Sequence, residues 1–147
     1  MSPEPIAEIR VWGRPQQRGS KRAVTINGKA RMLDMNAKSR PWMESVAAEA
    51  AAVWDGRELL QGPVGISVRF EFKRPKSHLR SNGDIKPAAP ELFTSSPDLD
   101  KLLRAVGDAL TGVVYADDRL VAWYRDCEKR YTNTSECAVI RVFNLAH

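Results

Sequence analysis

The stretch "SSPDLDKLLRAVGDAL", Ser95 to Leu110, decides how this chain folds, because it reads as a helix set between strands. Leu99, Leu102, Leu103, Val106 and Leu110 recur at i, i+3, i+4, i+7 and i+11, the apolar face of a helix. Ser96 suits the N-cap, Pro97 suits the first helical position, and Thr111-Gly112 stops the helix. Upstream, "GPVGISVRFEFKRP" (Gly62 to Pro75) puts Val64, Ile66, Val68, Phe70 and Phe72 on one face and Arg69, Glu71 and Lys73 on the other. That alternation is a half-buried strand. Downstream, "RLVAWYRDCEKRY" (Arg119 to Tyr131) and "ECAVIRVFNL" (Glu136 to Leu145) read as two further strands joined by the turn "TNTS". Only one strand–helix–strand crossover is evident, so the sheet is predicted to be mixed rather than all parallel.

The N-terminal part adds a strand at Ile6 to Gly13, a basic and turn-prone segment "RPQQRGSKR" (Arg14 to Arg22), and a hairpin at Ala23 to Leu33 turning at Asn27-Gly28. A second helix runs from Ala37 to about Trp54, with Pro41 in its first turn. The segment from Lys73 to Pro97 has four prolines and almost no periodicity, and a loop of that length is usually functional or mobile. Its Lys73, Arg74, Lys76, Arg80 and Lys86 suggest contact with a phosphate backbone; a solvated, partly disordered insertion is an equal alternative. The expected architecture is a single α/β (α+β) domain over residues 1–147. It would hold a mixed sheet of about five to six strands and two main helices, with a basic Pro-rich loop at about 73–97.

At 147 residues, 43% hydrophobic and 28% charged, the chain has the composition of an ordinary globular domain. No apolar run approaches the roughly 20 residues that span a bilayer, and the N-terminus lacks the pattern of a signal peptide. A cytoplasmic location without membrane contact is the expectation. Lys and Arg outnumber Asp and Glu by 23 to 18, a net charge of +5 that favours a polyanionic partner, nucleic acid first. Cys127 and Cys137 form no Cys-x-x-Cys pair, and the only histidines are His78 and His147. This argues against zinc and for two free thiols.

The acidic residues cluster between Asp98 and Asp118. In a first helical turn, Asp98 and Asp100 would complement the helix dipole. Two positions in a helix are about 200° of rotation, so two helical aspartates there could not share an ion. Joint binding requires Asp98 to be extended and Asp100 to be just inside the helix. Asp100, Arg104 and Asp108 form an i, i+4, i+8 stripe, either a salt-bridge ladder or a charged wall beside a site. Asp117-Asp118 stands before the next strand, either as a solvated turn or as a further ligand. Three carboxylates converging in a basic protein point to Mg²⁺ and to metal-assisted phosphodiester hydrolysis.

From Pro97 to Tyr131 the chain resembles the RusA family of Holliday-junction resolvases. Asp-Leu-Asp, a basic residue four positions on, Asp-Ala-Leu, Asp-Asp, and a lysine at the end of the next strand occur in order. "GRPQQRGSKR" is similar to the basic opening of that family. The strong match covers about a quarter of the chain and a weaker one most of it. The resemblance implies a small mixed α/β fold, a homodimer, dependence on Mg²⁺ (with Mn²⁺ as a substitute), and cleavage of four-way DNA junctions. It implies metal-binding aspartates at Asp98, Asp100 and Asp118, with Asp117 the less favoured of its pair. The family's essential lysine falls on Arg104, which stabilises charge but is a poor proton donor, a task that would then pass to Lys101 or Lys129. The catalytic set is therefore Asp98, Asp100, Asp118 and Arg104. The DNA-contacting set is Arg14, Arg18, Lys21, Arg22, Lys73, Arg74, Lys76, Arg80, Lys101 and Lys129.

Two symmetric cuts resolve a four-way junction, and a two-fold dimer supplies two sites to match. Small resolvases of this family commonly accompany phage genomes. Two other functions compete with the resolvase: a DNA-binding module that no longer cleaves, favoured by Arg104, and a small metal-dependent nucleotide hydrolase. The broad basic surface argues against the latter.

Overall fold

The computed structural model describes residues 3–19, 21–34 and 36–146, without the side chains of Lys21, Leu33 and Asp34. His147 lies outside the described residues. In chain order the elements are β1 (Ala7–Trp12), β2 (Lys21–Ile26), β3 (Lys29–Asp34), α1 (Ser39–Trp54), β4 (Val64–Lys73), α2 (Leu99–Leu110), β5 (Val121–Tyr124), β6 (Glu128–Thr132) and β7 (Cys137–Asn144).

β4 is the centre of a five-stranded mixed sheet. β7 lies antiparallel on one side of it, with β1 antiparallel beyond, while β5 and β6 share its other side, both parallel to it. The parallel pair β4–β5 is joined through α2, the crossover such a pair needs. β2 and β3 form a separate two-stranded hairpin. It turns at Asn27 (φ 51°) and Gly28 (φ 76°), left-handed conformations that suit Asn and Gly.

The alternation read in β4 is the observed one: Val64, Ile66, Val68, Phe70 and Phe72 are buried. They meet Trp42, Val46, Ala50 and Trp54 of α1, spaced at i, i+4, i+8 and i+12, and Leu102, Val106 and Leu110 of α2 in one core. The inward residues Ala7, Ile9 and Val11 of β1 and Ala138, Ile140 and Val142 of β7 complete it.

Two boundaries depart from the sequence reading. α2 begins at Leu99, with Asp98 rather than Ser96 at its N-cap. The Asp98 backbone N–H donates to Gln17 Oε1 at 2.7 Å, so a distant side chain fixes where the extended chain ends. The single strand expected over Arg119 to Tyr131 is broken into a short 3₁₀ turn (Asp118–Leu120), β5 and β6, with Asp126 at φ 53° in the break.

The Pro-rich segment is fastened to the body. Arg74 is buried and donates to the Pro90 carbonyl at 2.6 Å, with its guanidinium 5.1 Å from the centre of the Tyr131 ring. Phe93 is buried and stacks on Phe72 at 4.2 Å. The Phe93 N–H bonds the Lys129 carbonyl and the Tyr131 N–H bonds the Glu91 carbonyl, which runs the end of this segment along β6. No helix is long and apolar enough to cross a membrane among the described residues.

Candidate active site

The polar stripe of α2 faces a cleft of about 480 Å³. Asp100, Leu103, Arg104, Gly107 and Asp108 line it from the helix, and Asp118, Val121 and Tyr124 from the chain that enters and forms β5. Helical period explains the first set, since these positions are i, i+3, i+4, i+7 and i+8, opposite the buried Leu102, Val106 and Ala109. Asp118 is held by the preceding segment. Tyr115 is fully buried, and Leu60 brackets this segment, its N–H donating to the Val114 carbonyl at 2.9 Å and its carbonyl accepting from Ala116 at 3.0 Å.

Asp100 and Asp118 thus come together in one cleft with Arg104 and Asp108. Asp98 is not among the residues lining it, and its carboxylate pairs with Lys101 at 3.6 Å. Its backbone is extended (φ −76°, ψ 138°), whereas Asp100 lies in the first turn of α2. The backbone therefore changes form between the two aspartates. Asp98 makes no side-chain cap, so the helix start does not consume its carboxylate. Asp117 caps the 3₁₀ turn, accepting from the Arg119 N–H at 2.9 Å.

The stripe is not a salt-bridge ladder. Among the described residues Arg104 is exposed and enters no ion pair, and Asp108 is paired instead with Arg18 at 3.3 Å. The Asp100 and Asp118 carboxylates in the cleft offer hard oxygen donors, the kind from which Mg²⁺ takes one or two ligands while water and substrate phosphate supply the rest. Among the described residues no three acidic, His or Cys groups gather closely enough to hold an ion unaided.

The basic residues divide by partner. Arg22, Lys73, Lys76 and Arg80 are exposed. Arg14 pairs with Glu136 at 2.8 Å and lies over Phe72. Lys101 pairs with Asp98, and Arg74 faces inward. Lys129 donates to the Ser95 carbonyl at 2.8 Å and the Pro97 carbonyl at 2.7 Å, the turn just before Asp98. Lys21 lies in β2, with its side chain outside what is described.

Two tyrosines went unread in the sequence. Burial raises the pKa of Tyr115 above the ordinary range, with Tyr124 adding to the effect. Tyr124 is raised too, by burial first and then by Cys127, Asp118 and Asp108. The available signal was Gly107, a glycine on the polar face of a helix, which marks a close approach.

A chain with this mixed sheet, carboxylate cleft and basic surface is an endodeoxyribonuclease, as comparison with known proteins shows. The family described as Endodeoxyribonuclease RusA matches residues 13–142, and the chain belongs to it. The uncharacterized protein YqaN of Bacillus subtilis (strain 168) is 34% identical over 113 residues, spanning 76% of this chain and 78% of its own length. The family is one of Holliday-junction resolvases, and its members act on DNA junctions.

Proposed function

We propose that this chain is a Mg²⁺-dependent resolvase that makes paired, symmetric cuts in four-way DNA junctions and works as a homodimer in the bacterial cytoplasm. One observation carries the reading: Asp100 and Asp118, from different elements, line one cleft together with Arg104, which enters no ion pair among the described residues. These two aspartates are the proposed ligands of the ion, and Asp98 is the proposed third, joining them by turning from Lys101 into the cleft; Mn²⁺ suits the same oxygens. The bound ion would supply Lewis acidity at the scissile phosphate and an acidified water. Arg104 offsets the negative charge that builds on the phosphate. Arginine keeps its proton, so the leaving oxygen draws its proton from another donor, Lys101, Lys129 or water. The exposed Arg22, Lys73, Lys76 and Arg80 are proposed to contact the DNA backbone.

The test incubates the protein with a synthetic four-way junction and a matched linear duplex, with and without Mg²⁺. Asp100→Asn is run in parallel. Paired nicks on the junction alone, lost without the ion and in the variant, are expected. Binding without cleavage by the native chain would assign a DNA-binding module instead, the reading that arginine in place of the family's lysine favours. Failure to bind either DNA would sink both.

A further inference from the structure

We infer that Tyr124 is a substrate-contacting residue of this cleft. Its hydroxyl donates a hydrogen bond to a non-bridging oxygen of the scissile DNA phosphate as negative charge builds there in the transition state, and position 107 is glycine so that the hydroxyl can reach it. The inference rests on the nuclease reading above and adds a residue to it.

Three observations converge. First, Tyr124 lines the same cleft as Asp100, Asp118 and Arg104. It is aimed there by an irregularity in the strand. The β4–β5 register steps from Val64↔Val121 to Gly65↔Trp123, one residue on β4 against two on β5. Val121 and Tyr124 are three apart and would face opposite ways in a regular strand; the shift lets both line the cleft.

Second, the hydroxyl presses on α2 at the one position without a side chain. A Cβ on Gly107 would stand 3.3 Å from Tyr124 Oη. Alanine is the better helix former, so a mid-helix glycine costs helix stability that a need for space would explain.

Third, the two tyrosines beside Gly107 are used differently. Tyr115 donates to the Gly107 carbonyl at 2.8 Å and is fully buried. Tyr124 is 43% exposed, and among the described residues nothing accepts a hydrogen bond from its hydroxyl. A phenol is neutral at working pH and has a proton to donate. In a cleft whose other polar groups are carboxylates and one arginine, it adds a donor that brings no charge.

The test is a double-mutant cycle on the four-way junction, reading single-turnover cleavage and binding separately, with thermal melts to confirm folding. Tyr124→Phe should slow cleavage by about ten- to a hundredfold, the range for one hydrogen bond to a charged oxygen, and leave junction affinity within about twofold. Gly107→Ala should slow it as well, by pushing the hydroxyl aside. With Tyr124→Phe already present, Gly107→Ala should cost nothing further, because both changes act through one atom. Native cleavage by Tyr124→Phe would overturn the inference, as would an equal cost of Gly107→Ala in both backgrounds. If Asp100→Asn abolishes cleavage and Tyr124→Phe does not, only this inference fails. If Asp100→Asn cleaves normally, the reading of the cleft itself fails.

Discussion

Cys137 lies opposite Glu71 across β4 and β7, and its thiol donates to Glu71 Oε2 at 2.8 Å. Burial first, and then that carboxylate, push the thiol from 9.0 up to about 11. As pH rises from about 9 to 11, the unfolded chain releases this proton while the folded chain keeps it. The folded state then binds more protons, so its stability falls with rising pH. The melting temperature should therefore decline across that window, and decline less steeply in Cys137→Ala. Equal slopes in the two proteins would remove Cys137 from the account. The free state of both cysteines was legible from their spacing, and both thiols are free. The carboxylate partner was not legible, because Glu71 sits 66 positions away and meets Cys137 only through strand register.

The interior of each main element follows from its own sequence, whereas its ends are set by distant groups. α2 shows its helical period and β4 its alternation, because each must bury one face. The start of α2 obeys Gln17, 81 positions upstream of Asp98, and Lys129, which ties down the Ser95 and Pro97 carbonyls. Ser96-Pro97 satisfies the local rule for a helix start and still loses to these contacts. Lys129→Met keeps the aliphatic stem but releases both carbonyls, so the turn before Asp98 should loosen. Cleavage should fall on the order of ten- to a hundredfold with the melt little changed, since small misplacements of catalytic groups are costly. A lowered melt with native cleavage would make Lys129 purely structural. The parallel edge has a comparable control in Gly65, where an added Cβ would sit 2.5 Å from the Trp123 ring. Gly65→Ala should cost roughly 1–3 kcal/mol in denaturant unfolding and displace β5, as expected of overpacking. A neutral result would mean that Trp123 yields freely. The same edge hid Tyr124, because a strand read as regular gives no hint of the shift that turns this residue toward α2.

At the scale of the molecule, both helices pack into a core with one face of a mixed sheet, and the cleft that holds Asp100 and Asp118 opens beside α2. Asp100 and Asp118 were legible as candidates from their residue type and spacing. Their meeting in one cleft depends on the α2 crossover that returns the chain to the parallel edge of β4. One chain offers one such cleft, while resolution of a junction needs two cuts placed symmetrically. The proposed homodimer answers that mismatch, and it makes a prediction that the single chain would not. Native protein and Asp100→Asn, unfolded together and refolded as a mixture, should give three dimers in a ratio of about 1:2:1 if pairing is symmetric. The mixed dimer keeps one working cleft. On a supercoiled plasmid bearing an extruded cruciform, it should yield nicked circles, while the native dimer yields linear product. The nicked share should rise with the fraction of variant and then fall as fully inactive dimers take over. A linear yield that falls only in proportion to the native chain present, with no nicked circles, would mean that each chain acts alone.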